Sequence, residues 1–302
     1  DPLTYDSPHT KTFLLMQAHF SHLPLPNADY LTDTKSVLDQ SIRILQAMID
    51  VVAERGWLAT TLRVQQIMQS VIQARWYDDP IVLTLPNVET YNYTVFNKIR
   101  LKFPFLTLPV LKETCFKNYE AMAGPLRDEF SEPEIELIYR VICDMPTVNI
   151  EISLGGYYKT SELVRPVNQP PKRDDWIEVH SDQEYTLIIN LHRLGPKKFE
   201  SIHCPKFPKG KDEGWFLTLG SVSNGELLAL KRVAYRGNRS TQQLCFRTPV
   251  KTGRVIYTLY LMSDGYLGLD QQYDIQVDVT GPLENFSESD AYNQLPMGLP
   301  NK

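Results

Sequence analysis

Residues 33–57, DTKSVLDQSIRILQAMIDVVAERGW, run directly into residues 58–75, LATTLRVQQIMQSVIQAR, and the reading of this pair decides the fold. Starting from Leu38, apolar residues recur at Ile42, Leu45, Met48, Ile49 and Val52. That is the three-and-four spacing of one buried helix face. Gln40, Arg43, Ala47, Asp50 and Glu54 form a second stripe that faces away from it. Asp33 is read as the N-cap, and Gly56, which takes the left-handed conformation without strain, as the end of the helix. The next helix starts at once and places Val64, Ile67, Met68, Val71 and Ile72 on its apolar face. So short a connection makes the two helices antiparallel neighbours.

Outward from this pair the signals stay helical to about residue 145. Ser7 and Pro8 form a cap and first turn for a helix ending near Phe20, and Pro24 and Pro26 then break the chain. Pro80 and Pro86 punctuate the far side, and shorter helices are expected near 89–100, 108–122 and 131–142, with Pro104, Gly124-Pro125 and Pro133 at their joints. From Thr147 the period changes to that of strands: Val148–Ser153, Tyr185–His192, Trp215–Gly220, Leu227–Val233, Gln242–Arg247, Arg254–Met262 and Tyr273–Val279. Trp215, Leu217 and Leu219 alternate with Phe216 and Thr218, as in a central strand packing one face on a core. Between the first two strands lies a long loop with Pro166, Pro170 and Pro171.

The fold class expected is multidomain α and β. Residues 1–88 form a helical bundle, 89–145 a helix-loop-helix, 146–281 an antiparallel β-sandwich of the immunoglobulin or fibronectin type, and 282–302 a flexible tail.

Composition narrows the function classes. A net charge of −5 over 302 residues excludes a generally basic nucleic-acid binder, though not a local basic face. Cys115, Cys143, Cys204 and Cys245 are far apart and form no C-x-x-C pair, which suits reduced thiols in the cytosol or nucleus. His203-Cys204 and His19-x-x-His22 lack partners at zinc-ligand spacing. No stretch approaches the roughly 20 apolar residues of a membrane span, and no secretory signal opens the chain. No membrane partner is expected. Asp1 as first residue suggests a piece of a longer polypeptide.

The search for chemistry mostly fails. No G-x-x-x-x-G-K-[ST], G-x-S-x-G, H-E-x-x-H or G-x-G-x-x-G is present. The adjacent carboxylates Asp78-Asp79 and Asp174-Asp175 read as turn residues. The expectation is an accessory or interaction module with no catalytic residue, no metal and no cofactor. Lys98, Arg100 and Lys102 precede a turn at Phe103-Pro104-Phe105, but this turn lacks the glycines of a DNA-contacting hairpin, so a solvated basic face is expected there. Arg193, Lys197, Lys198, Lys206, Lys209 and Lys211 stand against only Glu200 between residues 193 and 211. Pro196, Pro205 and Pro208 restrict this segment. It is read as a partner-binding patch, favouring protein over nucleic acid, with a merely solvated loop as the alternative.

Several motifs in order resemble one family: Gln17-Ala18-His19-Phe20, the Arg43 helix, Gly56-Trp57-Leu58, Gln73-Ala74-Arg75-Trp76, Gly214-Trp215-Phe216, Leu230-Lys231-Arg232 and the run from Tyr257 to Asp264. This is the Sec sixty-three homology unit of Ski-two-like helicases, and the resemblance covers nearly the whole chain. It implies a helical bundle, a helix-loop-helix and an immunoglobulin-like sandwich. It also implies that the long helix is a ratchet helix lying across the strand that threads the motor, with the family's contact positions falling on Gln40 and Arg43, and Ala47 and Asp50 further along the same face. The implied parent is an ATP-dependent helicase of nucleus and cytoplasm. Its implied partners are an upstream helicase cassette and winged helix, single-stranded DNA or RNA, and other subunits of a cointegrator-type complex. A protein-docking platform without nucleic-acid contact is the alternative. The related module of the endoplasmic reticulum translocon is disfavoured, because that protein carries membrane spans and a J-domain.

Overall fold

A computed structural model describes residues 7–99, 107–155, 160–163, 176–194, 201–234 and 238–282. Helices come first: α1 Pro8–Phe20, α2 Ala28–Glu54, α3 Leu58–Gln73, α4 Leu108–Lys117, α5 Tyr119–Leu126 and α6 Glu132–Asp144. α1 begins as expected, with Ser7 Oγ accepting from the His9 N–H at 3.3 Å and Pro8 in the first turn. α2 starts five residues before Asp33. Asn27 is its cap, its Oδ1 accepting from the N–H groups of Asp29 and Tyr30 at 3.0 and 3.2 Å. Asp33 instead binds Lys11 of α1 at 2.6 Å. The early start follows from Pro26, after which Asn27 is the first residue able to cap.

Gly56 closes α2 with φ of +71°. Leu38, Leu45, Ile49 and Val52 are buried as their spacing requires, but Met48 is 45% exposed, so the core-facing stripe is narrower than expected. In α3, Val64, Met68, Val71 and Ile72 are buried while Ile67 is 46% exposed. The larger surprise is polar. Thr61, Gln65, Gln69 and Gln73 fall four residues apart on one line of α3, and all are buried.

The expected helix at 89–100 is a short 3-10 turn, Tyr93–Lys98. Asn92 explains the difference: its side chain accepts from the Glu89 N–H at 2.9 Å and donates to the Asn87 carbonyl at 3.2 Å, competing with the helical ladder. The expected helix at 108–122 is interrupted at Asn118, which caps α5 through the Ala121 N–H at 3.3 Å. Gly124 and Pro125 therefore sit inside α5, not at a joint. α6 opens on a Ser131/Glu134 capping box. Lys98 binds Asp128 at 2.7 Å, whereas Arg100, Lys102 and the Phe103-Pro104-Phe105 turn lie outside the described residues, as do Asp174-Asp175 and 283–302.

The strands are β1 Thr147–Gly155, β2 Thr160–Leu163, β3 Ile177–His180, β4 Glu184–Leu194, β5 Gly214–Ser221, β6 Glu226–Ala234, β7 Arg239–Arg247, β8 Gly253–Ser263 and β9 Gln271–Thr280. All seven expected strands are present. β2 and β3 are additional and fall where a loop was expected. The order is β2-β1-β4-β7 in one sheet and β3-β9-β8-β5-β6 in the other, antiparallel except where β3 joins β9. The sheets meet at Phe246 of β7 and Tyr257 of β8, whose rings stand edge to face at 5.1 Å.

β5 is an interior strand, as expected, but every one of its residues is buried. Trp215, Leu217 and Leu219 share one face, and Phe216, Thr218 and Gly220 share the other. α3 covers that second face, so the expected one-faced burial is corrected. Gln65 Nε2 donates to Thr218 Oγ1 at 3.1 Å, and Gln69 Nε2 donates to the Ser263 carbonyl at 2.7 Å and to Asp270 Oδ1 at 2.9 Å. Gln73 Nε2 donates to the Gly265 carbonyl at 2.6 Å. Helix and sheet come so close that a Cβ on Gly220 would lie 2.7 Å from Leu58. At the tip, the Leu227 N–H donates to the Gly56 carbonyl at 2.8 Å and the Leu58 N–H to the Gly225 carbonyl at 3.2 Å, tying the α2–α3 turn to the β5–β6 turn.

Candidate nucleic-acid interface

The exposed side of α2 follows from the burial of Leu38, Leu45, Ile49 and Val52 on the other. Gln40, Arg43 and Ala47 are all exposed, and they form a file along the helix. The Arg43 side chain is 66% exposed, and its guanidinium pairs with Asp39, one turn earlier, at 3.0 Å. Asp50 is also exposed but is not open: Arg232 of β6 binds its Oδ1 at 2.8 Å and donates to the Gln46 carbonyl at 2.9 Å. The same guanidinium lies 5.6 Å from the centre of the Phe216 ring. Asp50 thus braces the helix on the sheet, and its contact with any strand would have to displace Arg232. Beside the polar file runs an apolar one, Ile44, Met48 and Val51, all exposed. Sequence spacing missed this file, because Met48 fits the core period as well.

The basic segment divides. Arg193 is buried and bonded to Glu213 at 2.9 Å, and Glu213 also accepts from Trp215 Nε1 at 3.1 Å. Lys211 binds Asp264 at 2.5 Å, with both side chains largely covered. These two residues hold the segment to the sheets, so their assignment to partner binding is corrected. Their sequence signal was charge alone, which does not reveal a buried counter-ion. Lys206 and Lys209 are exposed, and Lys197 and Lys198 lie outside the described residues. Lys209 reaches α2, with its Nζ 3.8 Å from Asp39 Oδ1.

The histidines have structural work. His19 Nε2 lies 2.7 Å from the Val71 carbonyl and His22 Nε2 2.8 Å from the Ala74 carbonyl. A carbonyl only accepts, so each ring donates, and the two bonds tie α1 and the turn after it to the C-terminal end of α3. Burial holds both pKa values below the ordinary histidine value, with Arg75 and Lys206 adding to the effect at His22. Cys115 and Cys204 are buried, Cys143 half-buried and Cys245 exposed, all as free thiols. Burial pushes the Cys115 thiol up to about 12. Among the described residues no three His, Cys, Asp or Glu side chains form a metal-holding group, and no helix is long and apolar enough to cross a membrane.

Comparison with known proteins bears on this arrangement. The family model of the Sec63 Brl domain matches residues 2–276. Activating signal cointegrator 1 complex subunit 3 of Homo sapiens is 44% identical over 93% of this chain, and that of Mus musculus is 40% identical over 98%. The DExH-box ATP-dependent RNA helicase DExH14 of Arabidopsis thaliana is 34% identical over 90%. The chain spans only 14% of the length of the two cointegrator subunits and 11% of the plant helicase. Among solved structures, a CARDB domain of Pyrococcus furiosus aligns with 45% of this chain and 98% of its own, at 14% identity and a TM-score of 0.25, too low to bear on the fold. With the family model covering helices and strands alike, and relatives matching over nine-tenths of its length, this chain belongs to the Sec63 Brl domain family.

Proposed function

We propose that the chain is a non-catalytic accessory module of a Ski-two-like helicase, in which α2 guides the translocating single strand and the rest of the module braces the motor. The observation that carries this reading is the exposed file of Gln40, Arg43 and Ala47 on a helix of 27 residues clamped to a sheet through Asp50 and Arg232. A strand guide needs polar side chains presented from a stiff support, since phosphate contacts position nucleic acid without reading its bases. In this reading the helical part (1–88 and 89–145) meets an upstream helicase cassette and winged helix, and the strands (146–281) act as an immunoglobulin-like docking unit for other subunits of a complex. ATP binding and hydrolysis belong to the parent, which works in nucleus and cytoplasm, and no cofactor is assigned to the chain itself.

The exposed file of Ile44, Met48 and Val51 supports a second reading, a protein-docking platform with no nucleic-acid contact. A photo-crosslinking residue in place of Ala47, placed within the parent polypeptide, separates the two. Crosslinks to single-stranded RNA or DNA during translocation are expected. Crosslinks to protein alone would sink the strand-guide reading.

A further inference from the structure

Two features that the sequence keeps 170 residues apart converge on one carboxylate, and together they delimit a groove. Asp39 of α2 is shared by Arg43 at 3.0 Å and Lys209 at 3.8 Å. Lys35 stands one turn before Asp39 and lines, with Asp39, Phe207, Pro208 and Lys209, a groove of about 220 Å³. Three cations around one anion leave a local excess of two positive charges on a chain whose net charge is −5. Phe207 is half-buried and rests against the hydrophobic core, so the floor of the groove is apolar and fixed, while Pro208 restricts the backbone beside it.

We infer that this groove is a phosphate-binding subsite for single-stranded nucleic acid, in which Lys35 and Lys209 take the strand onward from Arg43. The inference rests on the strand-guide reading of α2 and extends its track onto the segment between β4 and β5. Four features favour a nucleic-acid strand. The Lys209 side chain is 76% exposed and the Arg43 side chain 66%, so both cationic heads are free to meet a polyanion. Their pairing with Asp39 is of the exposed kind that contributes little, and a phosphate can exchange for it at small cost. Asp39 lines the groove and is also the partner of Arg43, so a strand held at Arg43 lies one ion pair from Lys209. The apolar floor at Phe207 gives a base or sugar a dry face to lie on.

The test uses the purified 302-residue chain and fluorescent oligo(U) and oligo(dT) strands of about 15 nucleotides, titrated across a salt series. Lys35→Glu combined with Lys209→Glu is expected to weaken binding about tenfold at low salt and to lower the salt slope by about 1. Asp39→Asn removes the competing carboxylate and is expected to tighten binding about threefold, the sign that distinguishes a subsite from a contact that merely holds the loop in place. Lys209→Gln, a change at an exposed side chain that the fold does not need, gives a milder loss of about threefold if the charge reversal perturbs folding. Binding left unchanged by the lysine variants but weakened by Arg43→Gln would overturn the subsite and keep the strand guide. Binding insensitive to all of them, or absent in the unsubstituted 302-residue chain, would overturn both. If the lysine variants release an oligo-glutamate peptide while retaining both oligonucleotides, or if Asp39→Asn weakens nucleic-acid binding, the groove is not a phosphate subsite.

Discussion

Arg232 on β6 holds Asp50 on α2 at 2.8 Å while its guanidinium covers the ring of Phe216, so one side chain joins the long helix to the sheet by charge and by stacking. The ion pair alone is exposed enough to contribute little. Its backbone bond to Gln46 and the ring contact add to it. Arg232→Ala is expected to cost about 1 kcal/mol in denaturant unfolding and to speed amide exchange in the last three turns of α2. Exchange that rises equally in α6 would mean that the residue is not a local clamp.

The polar stripe of α3 predicts an ordered pair of losses. Gln69 serves the Ser263 carbonyl and the Asp270 carboxylate, whereas among the described residues Gln65 serves the Thr218 hydroxyl alone and its Oε1 has no partner. Gln69→Leu should cost about 2–3 kcal/mol, because it strands a buried charge acceptor, and Gln65→Leu should cost less than about 1 kcal/mol. Equal losses in urea melts would contradict this account.

Trp215 is 1% exposed and its indole N–H is bonded to Glu213. Trp215→Ala should destabilise the chain by about 3–5 kcal/mol through the cavity it leaves. Trp215→Phe should cost less, since it keeps most of the volume and loses the pyrrole ring with its donor to Glu213. A loss in Trp215→Ala below that of Trp215→Phe would show that packing is not what the residue supplies.

Asp270 gives the fold a pH dependence. Burial pushes its pKa up to about 6, against the opposing bonds from the Ser263 N–H and Gln69. A folded pKa above the unfolded value, about 3.9, means that the folded state binds the proton more tightly. This contribution to stability is complete below about pH 4 and is lost as pH rises through about 6, a change on the order of 3 kcal/mol. Asp270→Asn should flatten the stability profile between pH 4 and 7, as read by denaturant midpoints. A profile of the same slope in both proteins would remove Asp270 as its source.

Arg43→Ala in the parent helicase should lower unwinding severalfold with the melting temperature of this module changed by no more than about 1 °C, because among the described residues its bond is the exposed one to Asp39. Normal unwinding by a folded variant would remove α2 from the strand path.

The elements that were legible in the sequence are those whose partner is their own period. The buried face of α2, the cap at Ser7, the stop at Gly56 and seven strands all follow from local spacing and turn chemistry. What stayed illegible depends on a surface from elsewhere in the chain. Gln65, Gln69 and Gln73 look like an exposed polar face until the sheet is laid against them, and Asp50 and Arg193 look like free charges until Arg232 and Glu213 arrive. The same holds for the candidate site. Gln40 and Arg43 were marked by a resemblance, but nothing in the spacing of Asp39 and Lys209 announces that they meet.

Main-chain bonds join the two tips, Gly56 with Leu227 and Gly225 with Leu58, and the Leu58 side chain packs close against Gly220 beside them. α2 is therefore a beam fixed at its lower end, and Arg43 stands 13 residues up, roughly 20 Å of helix, from that mounting. A pull on Arg43 reaches the sheet first through the Asp50–Arg232 clamp, seven residues on, and then through the main-chain bonds of the tips. Proline at position 58 or 227, which has no amide hydrogen to donate, would remove one of the two bonds and slacken the mounting.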